Sequence, residues 1–284
     1  MKQLKWLIKV SRPRFWPYLF GPFALGIAAS PLDAVKDNVL LLLGMGLYFT
    51  FSANLLIYGI NDIYDYETDK NNPKKKGYEA LVKPSQHNFL ASAIAISTFP
   101  FIIPFLFWPS APIAARISLA LFLFFGVGYS APPIRAKVRP FIDMLFNSLY
   151  VFPALVAYGI TVDSLPPSHV FVAAVLWCMA MHAYSAVPDI ASDKKAKVNT
   201  VATVLGAKGT LLLCICSYVL AGVLVLQDLG IFAVMATAVY AGVMLLSYTS
   251  PKRQAVFKLY KLFPYINFSV GFALFWYIVA IVKV

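Results

Sequence analysis

Residues 61–77 read NDIYDYETDKNNPKKKG and follow directly on the uncharged LLIYGI of 55–60. Asp62, Asp65, Glu67 and Asp69 stand beside Lys70, Lys74, Lys75 and Lys76 at the end of an apolar run that starts near residue 39. That run is long enough to cross a bilayer as a helix, which needs about 20 mostly apolar residues. The charged cluster is therefore either a solvated loop at a membrane surface or a site built there.

The rest of the chain repeats the apolar pattern. Of its 284 residues, 60% are hydrophobic and 13% charged, whereas a soluble domain carries about 25% charged residues. Continuous apolar runs predict nine membrane spans, at 15–32, 39–61, 88–107, 112–131, 143–161, 169–188, 209–227, 229–248 and 262–282. The runs do not alternate, so a closed β-barrel is not the reading. The expected fold is all-α, a polytopic bundle of nine transmembrane helices forming one domain over 1–284. No cleavable signal peptide is expected at 1–14. The first span is the least regular, because it holds Pro17 and Pro22.

Net charge is +12, but the positions of the cations do not suggest nucleic acid. All but Lys36, Arg116 and Lys283 of the 24 basic residues fall in the N-terminal tail or in alternate connections, on one expected face. The positive-inside rule puts that face and the N-terminus in the cytoplasm. Basic loops there also meet anionic lipid headgroups. Cys178, Cys214 and Cys216 lie in apolar spans without a C-x-x-C pair, so they read as small core residues. Nothing in the sequence calls for an obligate protein partner.

Most acids gather on the same face. Continued as a helix at about 100° per residue, Asn61 at 0° puts Asp65 near 40°, Asp69 near 80° and Asp62 near 100°. Carboxylates on one stripe repel unless a cation neutralises them, and hard oxygen donors suit Mg2+ completed by substrate phosphates. A second cluster, YSAVPDIASDKKAKVNT at 184–200, repeats the spacing at Asp189 and Asp193. The fragments DYETDK and DIASDK read as two copies of one device. Between them, YSAPPIRAKVRPFID at 129–143 supplies Arg135, Lys137 and Arg139. Their bland reading is topology signalling; the functional one is a clamp on phosphate oxygens. Arg12 adds a cation where the first helix enters. Tyr129 and Tyr184 stand beside the charged motifs. Together these features imply a diphosphate carrying an apolar tail.

NDIYDYETD and DIASD resemble the paired motifs N-D-x-x-D-x-x-x-D and D-x-x-x-D of the UbiA superfamily of intramembrane prenyltransferases. Three longer stretches, NLLIYGINDIYDYETDKNNPKKKG, YSAPPIRAKVRPFID and HAYSAVPDIASDKKAKVNTVATVLG, resemble the lycopene elongases of that superfamily. The resemblance implies a UbiA-like bundle with Mg2+ held by Asn61, Asp62, Asp65, Asp69, Asp189 and Asp193. Asp62 either binds the metal or orients a neighbouring ligand. Arg12, Arg135, Lys137 and Asn61 would bind the diphosphate of an allylic donor, dimethylallyl diphosphate, and Tyr129 would steady the cation. The acceptor would be lycopene-like and enter from the bilayer, with proton loss or hydration to finish. The expected location is the cell membrane, with the active site at its cytoplasmic face. Two other readings stand beside this one. One is the same chemistry on a quinone precursor or archaeal glycerol ether. The other, of a different class, is a cation transporter, against which the carboxylates' place at helix ends argues.

Overall fold

The computed structural model describes residues 2–70, 79–107, 111–250 and 253–282. Expectations that fall on Lys74, Lys75, Lys76, Lys252, Lys283 and Val284 lie outside the described residues. Helix follows helix, and no strand forms among the described residues. In chain order the helices are α1 Lys2–Val10, α2 Pro17–Ala28, α3 Leu32–Asp37, α4 Val39–Leu47, α5 Ala53–Tyr64, α6 Tyr66–Asp69, α7 His87–Phe107 and α8 Ile113–Ser130. They continue as α9 Ile142–Phe146, α10 Phe152–Val162, α11 Ser168–Ala186, α12 Ile190–Lys195, α13 Val201–Leu224, α14 Leu226–Leu229, α15 Ile231–Thr249 and α16 Arg253–Val282.

Among the described residues, seven helical runs are long and apolar enough to cross a membrane, and an eighth is made if Ile142–Tyr150 and Phe152–Val162 count as one bent span. The chain is a multi-pass membrane protein. The expected span at 15–32 is realised as a 3-10 turn, Pro13–Phe15, followed by the 12-residue α2. Twelve residues rise about 18 Å, short of a hydrocarbon core of about 30 Å. Prolines at 13, 17 and 31 bound this helix, each lacking the N–H that would carry a helix through it.

The chain divides into two compact units. The first comprises Met1–Ile134, Phe152–Leu165 and Ile281–Val284. In it α10 packs against α2 and α8 by close backbone approach. A Cβ on Gly26 would lie 2.2 Å from the Ala154 carbonyl oxygen, and one on Gly159 would lie 2.6 Å from the Ala115 nitrogen. Small residues let membrane helices approach this way and gain dispersion contacts. The Ser30 and Thr161 hydroxyls meet at 2.6 Å across the same interface. Tyr48, Phe49 and Phe122 are fully buried between α4, α5 and α8.

The helix that ends in the first acidic motif is not uniform. Between α4 and α5 the backbone widens into a π turn, Tyr48–Ser52. A widened turn loosens the carbonyl ladder, and in lipid no water can repair it. Asn54, fully buried, donates its Nδ2 to the carbonyls of Phe49 at 3.1 Å and Thr50 at 2.8 Å.

The second unit comprises Arg135–Val151 and Pro166–Ala280. Here α13 lies between α11 and α15. The Cys214 thiol reaches the Ala180 carbonyl at 3.4 Å, and Asn147 donates to the Cys178 carbonyl at 2.8 Å. Cys178 and Cys214 are core residues as expected, whereas Cys216 is exposed, because α13 turns that position away from both neighbours.

The close approach at Gly26 yields a paired test. Gly26→Leu should lower the thermal midpoint in detergent, at a cost of about 1–3 kcal/mol for overpacking. Gly21→Leu, whose added Cβ meets nothing within 4 Å, should leave the midpoint near wild type. Equal midpoints would show that the α2–α10 contact is not tight.

Candidate functional site

The acids of the first motif do not lie on one continuous helix. α5 stops at Tyr64, and Asp65 takes φ −105°, ψ 6° before α6 begins. The four-residue spacing survives the break, since the Asp65 N–H donates to the Asn61 carbonyl at 3.0 Å and the Asp69 N–H to the Asp65 carbonyl at 2.8 Å. The second motif is built the same way. α11 gives way to a 3-10 turn, Val187–Asp189, and Asp189 takes φ −95°, ψ −2° before α12 begins. Thus the D-x-x-x-D pair of each motif places its first aspartate at the break between a long helix and a short one, and its second inside the short helix. Both first aspartates occupy the sparsely populated bridge region where many active-site residues sit. Asp65, Asp69, Asp189 and Asp193 are all partly buried.

Around the first motif, the Asn61 amide donates to the Ser130 hydroxyl at 3.1 Å. Ser130, at the end of α8, is fully buried, and its neighbour Tyr129 is partly buried. Asp62 is 2% exposed and accepts from Arg12 at 2.6 Å. Arg12 also lies 3.4 Å from Glu79, which Arg14 holds at 2.9 Å. The Arg12 guanidinium stacks 4.6 Å over the Tyr58 ring. Burial works to lower the Arg12 pKa, but the carboxylates of Asp62 and Glu79 outweigh it and raise the pKa above the usual value. Arg12 therefore stays charged. A cavity of about 150 Å3 lies among Lys9, Arg12, Pro13, Arg14 and Glu79.

In the second unit, Arg135 is exposed and Lys137 partly buried, flanking and within the 3-10 turn Ala136–Val138. Arg12 and Arg135 share a backbone peculiarity: both have positive φ, 52° and 43°, immediately before a 3-10 turn. A non-glycine residue there costs about 1–2 kcal/mol, and such strain concentrates at functional positions. Tyr184 is fully buried, with its hydroxyl 3.1 Å from Ser247 and its ring against Phe263, so it belongs to the packing.

The candidate residues therefore divide between the units. Arg12, Asn61, Asp62, Asp65, Asp69 and Tyr129 belong to the first; Arg135, Lys137, Asp189 and Asp193 belong to the second. Sequence reasoning missed Ser130 and Glu79. Ser130 sits inside a stretch already singled out, beside Tyr129. Glu79 carried no signal, since nothing local links it to Arg12 or Arg14.

The model of the UbiA prenyltransferase family matches residues 15–279. The chain belongs to the UbiA prenyltransferase family. It is a membrane-embedded transferase of prenyl groups. Among curated UbiA relatives, the lycopene elongase/hydratase of Halobacterium salinarum is 35% identical over 273 residues, covering 96% of this chain and 91% of that protein. The lycopene elongase/hydratase of Corynebacterium glutamicum is 36% identical over 286 residues, covering 95% of each. Among solved structures, a UbiA homolog from Archaeoglobus fulgidus bound to GPP and Mg2+ superposes with a TM-score of 0.64 at 17% identity, over 98% of this chain and 99% of that one. The same homolog bound to DMAPP and Mg2+ gives 0.62 at 17% identity, over 97% and 99%. These structures share the fold.

The donors present suit magnesium. Each motif offers a pair of aspartates four residues apart, all oxygen ligands, with the Asn61 amide beside the first pair. Donors of this kind suit an ion that binds through one or two carboxylates and completes its octahedron with water and phosphate oxygens.

The Arg12–Asp62 pair can be tested by double substitution. Removing one partner of a buried pair costs about 3–5 kcal/mol, because the other charge is left uncompensated. Arg12→Ala and Asp62→Ala should each lower the thermal midpoint, and the double variant should lose less than the two effects added. Additive losses would show that the pair is not energetically coupled.

Proposed function

We propose that this chain is a Mg2+-dependent prenyltransferase that ionises an allylic diphosphate, with dimethylallyl diphosphate the best fit, and lengthens a linear carotenoid, lycopene, taken from the bilayer. The observation that carries this reading is the matched helix break at the D-x-x-x-D pair of each acidic motif, in a UbiA chain similar over nearly its full length to lycopene elongases/hydratases. The chain acts as one domain over 1–284, with nine spans if the short α2 is counted beside the eight long runs, and both motifs serve the same reaction. Asn61, Asp65 and Asp69 would hold Mg2+ at the first motif, and Asp189 and Asp193 would hold it at the second. Asp62, already engaged with Arg12, orients the start of the motif, and the Arg12 charge stays available to the diphosphate side.

When bound, Mg2+ supplies positive charge to the departing diphosphate. Arg135 and Lys137 add hydrogen-bond donors to the same oxygens, an interaction that strengthens as the C–O bond breaks. Ser130 keeps the Asn61 amide turned in one sense, so its carbonyl oxygen is presented in the other. Tyr129 offers the face of its ring to the allylic cation. The acceptor's terminal double bond attacks that cation, and the resulting tertiary cation loses a proton or takes water. The uncharged spans leave a hydrocarbon acceptor free to enter from lipid. The one-sided distribution of the basic residues supports a cytoplasmic N-terminus and a site at the cytoplasmic face of the cell membrane.

A lycopene-producing host expressing the protein should accumulate C45 and C50 pigments, hydroxylated where water ends the reaction. Asp65→Ala and Asp189→Ala should each reduce this at least a hundredfold while still inserting in the membrane, and EDTA should abolish turnover of the purified enzyme. Turnover by both variants would dissociate the motifs from catalysis. Unchanged lycopene beside ample donor would redirect the acceptor to quinone precursors or glycerol ethers.

Orientation is tested separately by single cysteines in a cysteine-free background. Cysteines replacing Lys75, Arg135 and Lys195 should react only from the cytoplasmic side. One replacing Val284 should react only from outside. Labelling of both termini from one side would rule out nine spans.

A further inference from the structure

The reaction proposed above must end at a base. After the new C–C bond forms, a tertiary cation stands on the acceptor, inside an apolar interior. Either a neighbouring C–H bond gives up its proton or an incoming water does. The motif aspartates are committed to the metal, and Asp62 to Arg12.

The second unit contains a buried acid–imidazole pair that nothing above uses. Asp143, at the start of α9, is 0% exposed. Its Oδ2 accepts the N–H of Val201, the first residue of α13, at 2.9 Å, where a helix start favours negative charge. The same Oδ2 lies 3.5 Å from Nε2 of His182 on α11, a side chain 12% exposed. Oδ1 of Asp143 has no hydrogen-bond partner among the described residues. A carboxylate held so firmly by α13 fixes the side from which it meets the imidazole. A carboxylate at ion-pair distance from an imidazole stabilises the imidazolium that forms when it takes a proton.

The position of His182 suits that role. It precedes Asp189 by seven residues, four of α-helix and three of 3-10 turn. The two side chains therefore leave on the same side, with His182 about 12 Å further into the apolar span. A base at the end of prenyl transfer has to stand that way, beyond the diphosphate and alongside the prenyl unit. His169, by contrast, is the first-turn residue of α11, at the opposite end, and pairs with Asp228 at 3.0 Å.

We infer that His182, oriented by Asp143, accepts the proton that terminates prenyl transfer; this rests on the prenyl-transfer reading above. In the alkene outcome, the C–H bond beside the tertiary cation breaks, its electron pair becomes the new double bond, and the proton goes to the imidazole. In the alcohol outcome, water oxygen forms the C–O bond and its proton takes the same path. The proton then passes to the released diphosphate or to water. His182 is the catalytic residue of this step and Asp143 its positioning residue.

The test measures two quantities on the purified full-length enzyme with labelled dimethylallyl diphosphate and lycopene: diphosphate released, and elongated pigment formed. In His182→Gln, pigment formed per diphosphate released should fall roughly a hundredfold, the usual scale for loss of a general base. The shortfall should appear as the C5 alcohol made when water captures the allylic cation. Asp143→Asn keeps an oxygen to accept from Val201, and should lower kcat and the same ratio at least tenfold with the donor KM unchanged. If His182→Gln fails to fold, Asp143→Asn decides alone. A purely structural role for the pair would lower thermal stability and leave the ratio at the wild-type value in both variants, which would overturn the inference. Wild-type enzyme that forms no elongated pigment would instead overturn the reading on which it rests.

Discussion

Every backbone polar group inside a bilayer must find its partner within the protein, and the architecture of this chain follows from that demand. A helix meets it without help, which is why apolar runs become helices here and no strand forms among the described residues. Departures from the helix along the acidic spans are met in two ways. At the π turn of Tyr48–Ser52 the amide of Asn54 supplies the missing bonds. At Asp65 and Asp189 the break comes where each span reaches its polar end and a short helix takes over. The acidic residues are thus found where the constraint relaxes.

The electrostatic pattern has the same logic. Charges are scarce, and those gathered around the end of α5 and the tail before α2 are engaged with one another. Arg12 is shared between Asp62 and Glu79, and Glu79 is held by Arg14 as well. Burying Asp62 without Arg12 would cost several kcal/mol, so the tail before α2 and the end of α5 are locked together although 50 residues separate them. The aspartates of the two D-x-x-x-D pairs are partly buried and stand at and just beyond the two helix breaks.

Much of this was legible in the sequence. Apolar length revealed most spans, since crossing a bilayer demands it whatever the tertiary structure. The D-x-x-x-D spacing revealed both motifs. The break at Asp65 was not legible, because a helix and a tight turn between helices give the same four-residue spacing and even keep the same backbone hydrogen bond. The short α2 was overestimated, because hydropathy counts the residues around Pro13, Pro17 and Pro31 without registering their missing donors. The Arg12–Asp62, Asn61–Ser130 and Asp143–His182 contacts join distant parts of the chain, and no local pattern announces them.

The π turn separates two properties that a straight span would tie together. Such a turn is an α-helix carrying one residue too many. Loss of one codon within Tyr48–Ser52 would return the turn to plain α-helix, because the wider turn advances less, in angle and in rise, with each residue. Asn61 and Asp62 would stay close to Ser130 and Arg12. The same loss within α5 has no slack to draw on, and would rotate the acidic end by about 100° away from both partners. The π turn is thus the one place described in this run where the chain can change its count of residues without changing the direction of its acidic end.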